Sequence, residues 1–492
     1  MIAPSDPERI TMLEDMPRSR LPIYRNAIDW AWFDREFPAP DVFAETLFRW
    51  PYERIRALQN QRFLSVMEIG WKNAFYKRLW GSHGIAPDDI RSIDDLHKLP
   101  TFTSDDIKNS QTPDAPFGTI AGVNPTDELK RQPLKLQTSG GTTGKARPTL
   151  YGVVEWELNG LQIARSHYLQ GARPGDIVQI PATCSLANLA WSHYHAAHYY
   201  LAAMPLTTGS GVVTPSRKQM EIAFDYGTTV LVSFPEYITT LAAEARKGLG
   251  RDPRELKLKY ITTYLGPDLE NNLRKELESL FDCPVFDNYG THEISHAAFE
   301  AEDRNGMYLM EDCIHIDFAD TETGAPVSTG EVGNMIATSL YRSVVPLIRF
   351  NLRDLGRLLP HEKTALGSEF RRIDRFLGRS DSMVKIRGTN VYPMACLNAV
   401  KSDPRTTGEW IVIADRHVRD GVIRDELTVQ VETRSDAGGI DGLQEYLEKR
   451  LLADLGLKVA VELVEEGALR EVANLGREGK PRRLLDRRHL KA

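Results

Sequence analysis

Three groups of residues in this sequence could carry chemistry. The first is the stretch LQTSGGTTGKARP, residues 136–148. Gly140, Gly141 and Gly144 let backbone amides approach a polyphosphate without Cβ clashes. Ser139, Thr142 and Thr143 add hydroxyl donors, and Lys145 adds positive charge. A tight hairpin could share this composition. A P-loop NTPase fails on spacing, because GxxxxGK[ST] needs Gly at 139 and Ser or Thr at 146, where the chain has Ser139 and Ala146. The second group is His193, His195 and His198 in SHYHAAHYY. Helical spacing spreads them around the axis, unlike the i, i+4 pair of HExxH, so they read as hydrogen-bonded helix histidines. The third is the set of cysteines, Cys184, Cys283, Cys313 and Cys396, which form no CxxC pair and match no zinc spacing. Cys184 shows no base partner and reads as a buried thiol.

These residues need a scaffold, and the pattern of the chain predicts one. VLVSF (230–234), LKYITTYLG (258–266) and PVFDNYG (284–290) read as strands. PEYITTLAAEARKG and DLENNLRKELESLF read as the helices between them, with Pro235 suited to a first turn. Such alternation implies right-handed crossovers and a parallel sheet, with ligands at the carboxyl ends of the strands. The loops after Leu265 and after Asn288 are then the places for chemistry. Beyond about residue 379 the rhythm changes. EWIVIAD, ELTVQVETR and KVAVELVEE read as strands and GLQEYLEKRLLADLG as an amphipathic helix, a small α+β domain. A helical stripe begins at Ile55, whereas residues 1–55 are rich in Pro, Trp and Arg and have no clear period.

Composition excludes other classes. The chain has 492 residues, enough for two or more domains, and 41% hydrophobic with 26% charged residues marks it as globular. Its 61 basic and 68 acidic residues leave a net charge of −7, which argues against nucleic acid as a partner. The acidic, proline-bearing N-terminus lacks the apolar run of a signal peptide, no stretch is long enough to span a membrane, and few cysteines fit a reducing compartment. The expectation is a cytoplasmic protein, with homodimerisation an open question.

Five motifs, taken together and in order, resemble those of the adenylate-forming superfamily, and most of all its phenylacetate–coenzyme A ligase branch. The Gly/Thr run resembles the phosphate loop [ST]SGTTGKP, with one extra residue in the run and Pro148 placed later. DNYGTHE, 287–293, resembles the YGxxE signature. The resemblance implies that Tyr289 flanks adenine beside Asp287, Asn288 and Gly290, and that Glu293 serves Mg2+. Asp354, in PLIRFNLRDLGRLLP, matches the acid that grips both ribose hydroxyls. GRSDSMVKIRGTNVYP, 378–393, resembles GRSDDMLIIRGVNVFP, so Arg379 matches a ribose contact and Asp381 the pivot of a mobile C-terminal domain. Ser382 replaces the usual second Asp. Lys480, in LGREGKPRRLLDRR, matches the lysine that bridges carboxylate and α-phosphate. LQNQRFLSVMEIGWKNAFYKRLW and PLTTGSGVVTPSRKQMEIAFDYGTTVLVSFPEY resemble the start and the substrate region of the phenylacetate ligases.

The resemblance covers roughly residues 56–490 and implies a large α/β domain at 56–378, after an extension at 1–55, and a lid at 379–492 with its hinge at 379–382. It implies ATP, Mg2+ and coenzyme A as ligands. Glu293, Thr142 and Lys480 would be catalytic. Ser139, the loop residues 140–145, Gly266, Pro267, Asp287 to Gly290, Asp354 and Arg379 would bind nucleotide. The acid would meet His193, Tyr194, Gly266 and Pro267, a flat wall with small residues that suits an aryl group. FEAEDRNGMYLMED lacks the Cys and His of relatives that carry a structural zinc, so no zinc is expected. Three functions remain open: an aryl–coenzyme A ligase; an adenylating enzyme of secondary metabolism that passes the acyl group to an amine, a hydroxyl or a carrier-protein thiol; and a degenerate nucleotide-binding protein. Retention of Glu293, Asp354 and Lys480 together argues against the last.

Overall fold

In the computed structural model, which describes residues 19–139, 147–268, 271–380, 384–386, 389–419, 422–473 and 482–488, the strand–helix alternation becomes a parallel sheet. A helix, α1 (Tyr52–Lys72), buries Ile55, Gln59, Arg62, Phe63, Val66, Met67 and Gly70; of the stripe expected from the sequence, Ile55, Leu58, Arg62, Val66, Ile69 and Phe75, the residues Leu58 and Ile69 are only partly buried and Phe75 lies on the next helix. An antiparallel ribbon of β1 (Lys135–Ser139) and β2 (Arg147–Tyr151) brackets the Gly/Thr run. The long helix α2 (Val153–Leu169) follows and is buried along most of its length. Then come β3 (Ile177–Gln179), α3 (Leu189–His195), β4 (Met204–Leu206), β5 (Val230–Val232), α4 (Pro235–Ala243), β6 (Tyr260–Thr263), α5 (Asn272–Phe281) and β7 (Val285–Thr291). Strands β4, β3, β5, β6 and β7 lie side by side and parallel.

The sheet does not stop there. β7 turns into β8 (Ser295–Glu300), which pairs with it antiparallel, and β9 (Met307–Leu309) continues the sheet. A second antiparallel sheet is built from β10 (Ile314–Ala319), β11 (Val332–Ser339), β12 (Phe350–Arg357) and, beyond the short β13 (Arg372–Ile373) on β9, β14 (Gly378–Arg379). DNYGTHE therefore begins inside a strand: β7 runs on to Thr291, past the Asn288 where the sequence suggested a loop. The cause is the β7–β8 hairpin, whose ladder keeps Tyr289, Gly290 and Thr291 extended.

Residues 19–55 are part of this body. Phe33, Phe37, Phe43, Leu47 and Phe48 enter the same hydrophobic core as Phe63, Trp80, Phe299 and Phe370. Arg165 of α2 donates to the Pro38 carbonyl from Nε and Nη2 and pairs with buried Asp312 at 2.8 Å. Tyr24 Oη donates to Glu157 at 2.6 Å. No period was legible because the helices there, Trp30–Glu36 and Pro40–Glu45, are two turns or less.

The C-terminal region has a core of its own. A ribbon of β15 (Val384–Ile386) and β16 (Thr389–Val391) precedes a long hairpin of β17 (Thr406–Arg419) and β18 (Val422–Thr433). β19 (Ala460–Val464) lies parallel on β18 and β20 (Leu484–Asp486) parallel on β17. Helix α6 (Leu443–Leu455) covers the hairpin with Leu443, Leu447, Leu451 and Leu455, one face at i, i+4 spacing. Polar contacts join it to α5: Asn272 to Asn398 at 3.2 Å and Lys401 to Glu276 at 3.4 Å.

Candidate active site

The ends of β7, β12 and β14 meet around one carboxylate. Asp354 sits opposite Arg379 in the β12–β14 ladder. Its Oδ1 accepts from Arg379 Nη1 at 2.8 Å, and its Oδ2 accepts from the Tyr289 hydroxyl at 2.7 Å. Tyr289 is buried and lies nearly parallel to Phe376, with ring centroids 6.0 Å apart at 19°. Burial, reinforced by the neighbouring Asp354 charge, pushes the Tyr289 phenol well above its ordinary range, so it stays a donor. The arrangement holds the carboxylate rigidly, with Arg379 donating to one oxygen and Tyr289 to the other.

The next turn carries Glu293. Gly290 must be glycine, since a Cβ there would come within 2.3 Å of the Ser295 carbonyl oxygen. That close crossing makes the turn tight enough to bury Glu293 beside the phosphate-loop ribbon. Arg147 Nη1 lies 3.2 Å from Glu293 Oε1. That oxygen nonetheless receives no aligned hydrogen bond. Arg342 clamps the corner by donating to the carbonyls of Glu293, at 2.6 Å, and Leu150, at 2.7 Å. Ser139 ends β1; Gly140, Gly141, Thr142, Thr143, Gly144 and Lys145 lie outside the described residues, as do Asp381 and Lys480.

Behind β6, Gly266 takes a left-handed φ of +73°, a conformation that suits glycine, and Pro267 is buried. Asp287 holds this loop by accepting from the Leu265 amide at 2.8 Å. Burial and the adjacent Glu300 push the Asp287 carboxyl up to about 7. Asn288 is spent on the sheet: its amide donates to Thr262 Oγ1 and to the Thr263 carbonyl, and its oxygen accepts from Gln170. The side chains of both residues thus hold the loop and strand in place.

On the far side, α3 presents Tyr194 at its half-buried face, stacked on His198 at 5.5 Å and 16°. His193 points inward and shares a 2.8 Å hydrogen bond with His167 of α2. His195 meets Glu157 at 3.1 Å, and Tyr200 also bonds Glu157. His193 and His195 are thus hydrogen-bonded, as expected, whereas exposed His198 instead stacks on Tyr194, and among the described residues no three His, Cys, Asp or Glu side chains cluster to hold a metal. Cys184 corrects the sequence reading: it is exposed, because the 181–188 segment leaves the end of β3 and runs over the surface.

Comparison with known proteins gives this geometry its context. The profile of the AMP-binding enzyme C-terminal domain matches residues 388–488. The phenylacetate–coenzyme A ligase of Aromatoleum evansii is 28% identical over 449 residues, covering 89% of this chain and 95% of that one. The chain is thus similar over most of its length to phenylacetate–coenzyme A ligases, and its C-terminal region matches that of AMP-binding enzymes. A crystal structure of 2-hydroxyisobutyryl-CoA ligase in the postadenylation state is 25% identical, with a TM-score of 0.75 over 88% of this chain and 90% of that one. The same ligase in its thioesterification state gives a TM-score of 0.64 over 90% and 91%.

The structure brings Tyr289, Asp354 and Arg379 into direct contact and sets Glu293 beside the ribbon that brackets the Gly/Thr run. Sequence reasoning missed Arg147 and Arg342, which fix Glu293, and Phe376, which lies against Tyr289. Arg147 was within the quoted Gly/Thr motif, two residues past Lys145, so its charge was the available signal. Arg342 and Phe376 lie just outside the quoted strings, four residues before Pro346 and two before Gly378, and carried no signal of their own.

Proposed function

We propose that this protein activates an aromatic carboxylic acid with ATP and passes the acyl group to coenzyme A. The observation that carries the reading is the Asp354 carboxylate, fixed by Tyr289 and Arg379 and flanked by the Glu293 turn. In the first step the acid's carboxylate oxygen attacks the α-phosphorus of ATP, and the bond to pyrophosphate breaks. In the second the coenzyme A thiol, giving up its proton, attacks the acyl carbonyl and AMP leaves. Two anions must meet in the first step, so positioning and charge neutralisation supply most of the rate.

The chain's own residues have roles suited to this. Asp354 would accept from the ribose hydroxyls, since a carboxylate offers several acceptor positions and this one is held in place by Tyr289 and Arg379. The amides of Gly140, Gly141 and Gly144, with Ser139, Thr142, Thr143 and Lys145, would cradle the phosphates. Glu293 fits Mg2+, since its buried Oε1 is a hard oxygen that receives no hydrogen bond. An ion bound there would supply neutralising charge beside the phosphates. Lys480 would enter with the C-terminal region for adenylation, turning about Asp381. The separate core of that region, and its polar contacts with α5, support such movement. Tyr194, His193 and the Gly266–Pro267 loop would line the acid.

The test is ATP–pyrophosphate exchange with a panel of aromatic and short aliphatic acids, followed by product analysis with coenzyme A. Exchange that needs an aryl acid, then an aryl thioester and AMP, is the expected result. Exchange with short aliphatic acids alone would overturn the aryl assignment. An adenylate that ignores coenzyme A but yields an amide or ester with an added amine or phenol would overturn the acceptor.

A further inference from the structure

A file of buried imidazoles lies where α2, α3 and β8 pack together, and of its members only His193 has a role above, as a neighbour of the acid. His167 of α2 bonds the Tyr260 hydroxyl through Nδ1 at 2.6 Å and His193 of α3 through Nε2 at 2.8 Å. His296 of β8 pairs across the ladder with Gly290, next to Tyr289 of the nucleotide motif. The three side chains lie within electrostatic reach of one another. All are buried: His167 is 1% exposed, His193 1% and His296 3%. Yet His193 Nε2 and both nitrogens of His296 have no hydrogen-bond partner. Burial pulls the His167 imidazolium down to about 4 and that of His296 to about 3, and holds His193 well below its usual range, so all three are neutral at pH 7.

Neutral imidazoles define what they can bind. If the Tyr260 hydroxyl donates to His167, then His167 Nε2–H donates to His193 Nδ1, and His193 Nε2 carries a proton to give. If the relay runs the other way, His193 Nε2 accepts. A buried orphan nitrogen costs about 1–3 kcal/mol, which a core without a ligand would shed by using an apolar residue. Three such nitrogens beside Tyr194 and Gly290 call for a polar partner.

We propose that His193 and His296 form a polar end to the acid pocket and bind a hydroxyl or amino substituent on the aryl ring of the activated acid. This rests on the adenylation reading and names its substrate class: hydroxy- or amino-substituted aromatic acids. Tyr260 and His167 are positioning residues, setting through the relay whether His193 donates or accepts.

The test compares kcat/KM for pyrophosphate exchange with benzoic acid, its three monohydroxy and three monoamino isomers, and the matching methyl isomers as apolar controls. At least one hydroxy or amino isomer is expected to exceed its methyl counterpart by about tenfold to a hundredfold. His193→Phe and His296→Phe should each cut that ratio at least several-fold, and Tyr260→Phe should shift the balance between hydroxy and amino isomers. The wild-type panel decides even where a variant fails to fold. Exchange with equal efficiency for polar and methyl isomers overturns the inference alone and leaves the imidazoles to internal water. A ratio unmoved by both histidine variants overturns it too. No exchange with any acid overturns the adenylation reading and the inference with it.

Discussion

Asp354→Asn probes the proposed nucleotide site with little change of shape. The wild-type carboxylate has about four acceptor positions, and Tyr289 and Arg379 occupy one on each oxygen. A carboxylate can accept more than one hydrogen bond on each oxygen, which suits the two hydroxyls of a ribose. The amide keeps one acceptor oxygen, loses the charge and puts a donor where Tyr289 or Arg379 already donates. Losing a charge-assisted hydrogen bond costs about 1.5–3 kcal/mol, or about ten- to 150-fold in the KM for ATP. The assay is pyrophosphate exchange at varied ATP, repeated with 2′-deoxy-ATP and 3′-deoxy-ATP. In the wild-type enzyme each missing hydroxyl should raise KM; in Asp354→Asn the further penalty should largely vanish, because its partner has gone. Thermal melting of both proteins checks that the change is local. An ATP KM within twofold of wild type, or the same deoxy-nucleotide penalty in both proteins, would refute the diol role and leave Asp354 as a structural partner of Arg379.

Lys480→Ala should slow adenylate formation by about a hundred- to a thousand-fold, as for loss of a transition-state donor, while thioester formation from preformed acyl-adenylate stays near normal; equal loss in both halves, measured by single turnover, would point to a structural tail. Asp287, raised in the folded state to about 7 by burial and Glu300, stabilises the fold most fully below its ordinary value near 3.8 and loses that contribution as pH rises through about 7. Melting temperatures at pH 5 and pH 8 should therefore shift in favour of Asp287→Asn as pH rises, and a difference that does not change with pH would count against the buried-carboxyl account. Phe43→Ala, which empties a core position against Phe48, Phe370 and Arg165, should cost about 3–5 kcal/mol in urea unfolding; a cost below 1 kcal/mol would mean that the N-terminal segment is only loosely attached.

The readable parts of this protein were those written locally. The parallel strands at 230–232, 260–263 and 285–291, the helices between them and the α+β character of the C-terminal region follow from apolar periodicity, which depends on near neighbours in the chain. Tyr289, Glu293, Asp354 and Arg379 were legible as candidates because each sits in a short, distinctive string. The antiparallel sheet of β10, β11, β12 and β14 was not foreseen, since its partners are far apart in sequence and short strands of this kind carry little period. Residues 19–55 were unreadable for a similar reason: their aromatics acquire meaning only against Phe299 and Phe370.

The sequence by itself marked Asp354, Tyr289 and Arg379 as candidates for one nucleotide site, because motif order carries that expectation. Only the tertiary structure decided that the three touch, that Arg147 lies against Glu293, and that Asp287 and Asn288 turn their side chains into the scaffold. Likewise SHYHAAHYY announced three histidines, but not that His193 would meet His167 and His296 from two other elements. Hydrogen bonds and burial reach only a few ångströms, and which side chains come that close is settled by the packing of α2, α3 and β8, not by distance along the chain.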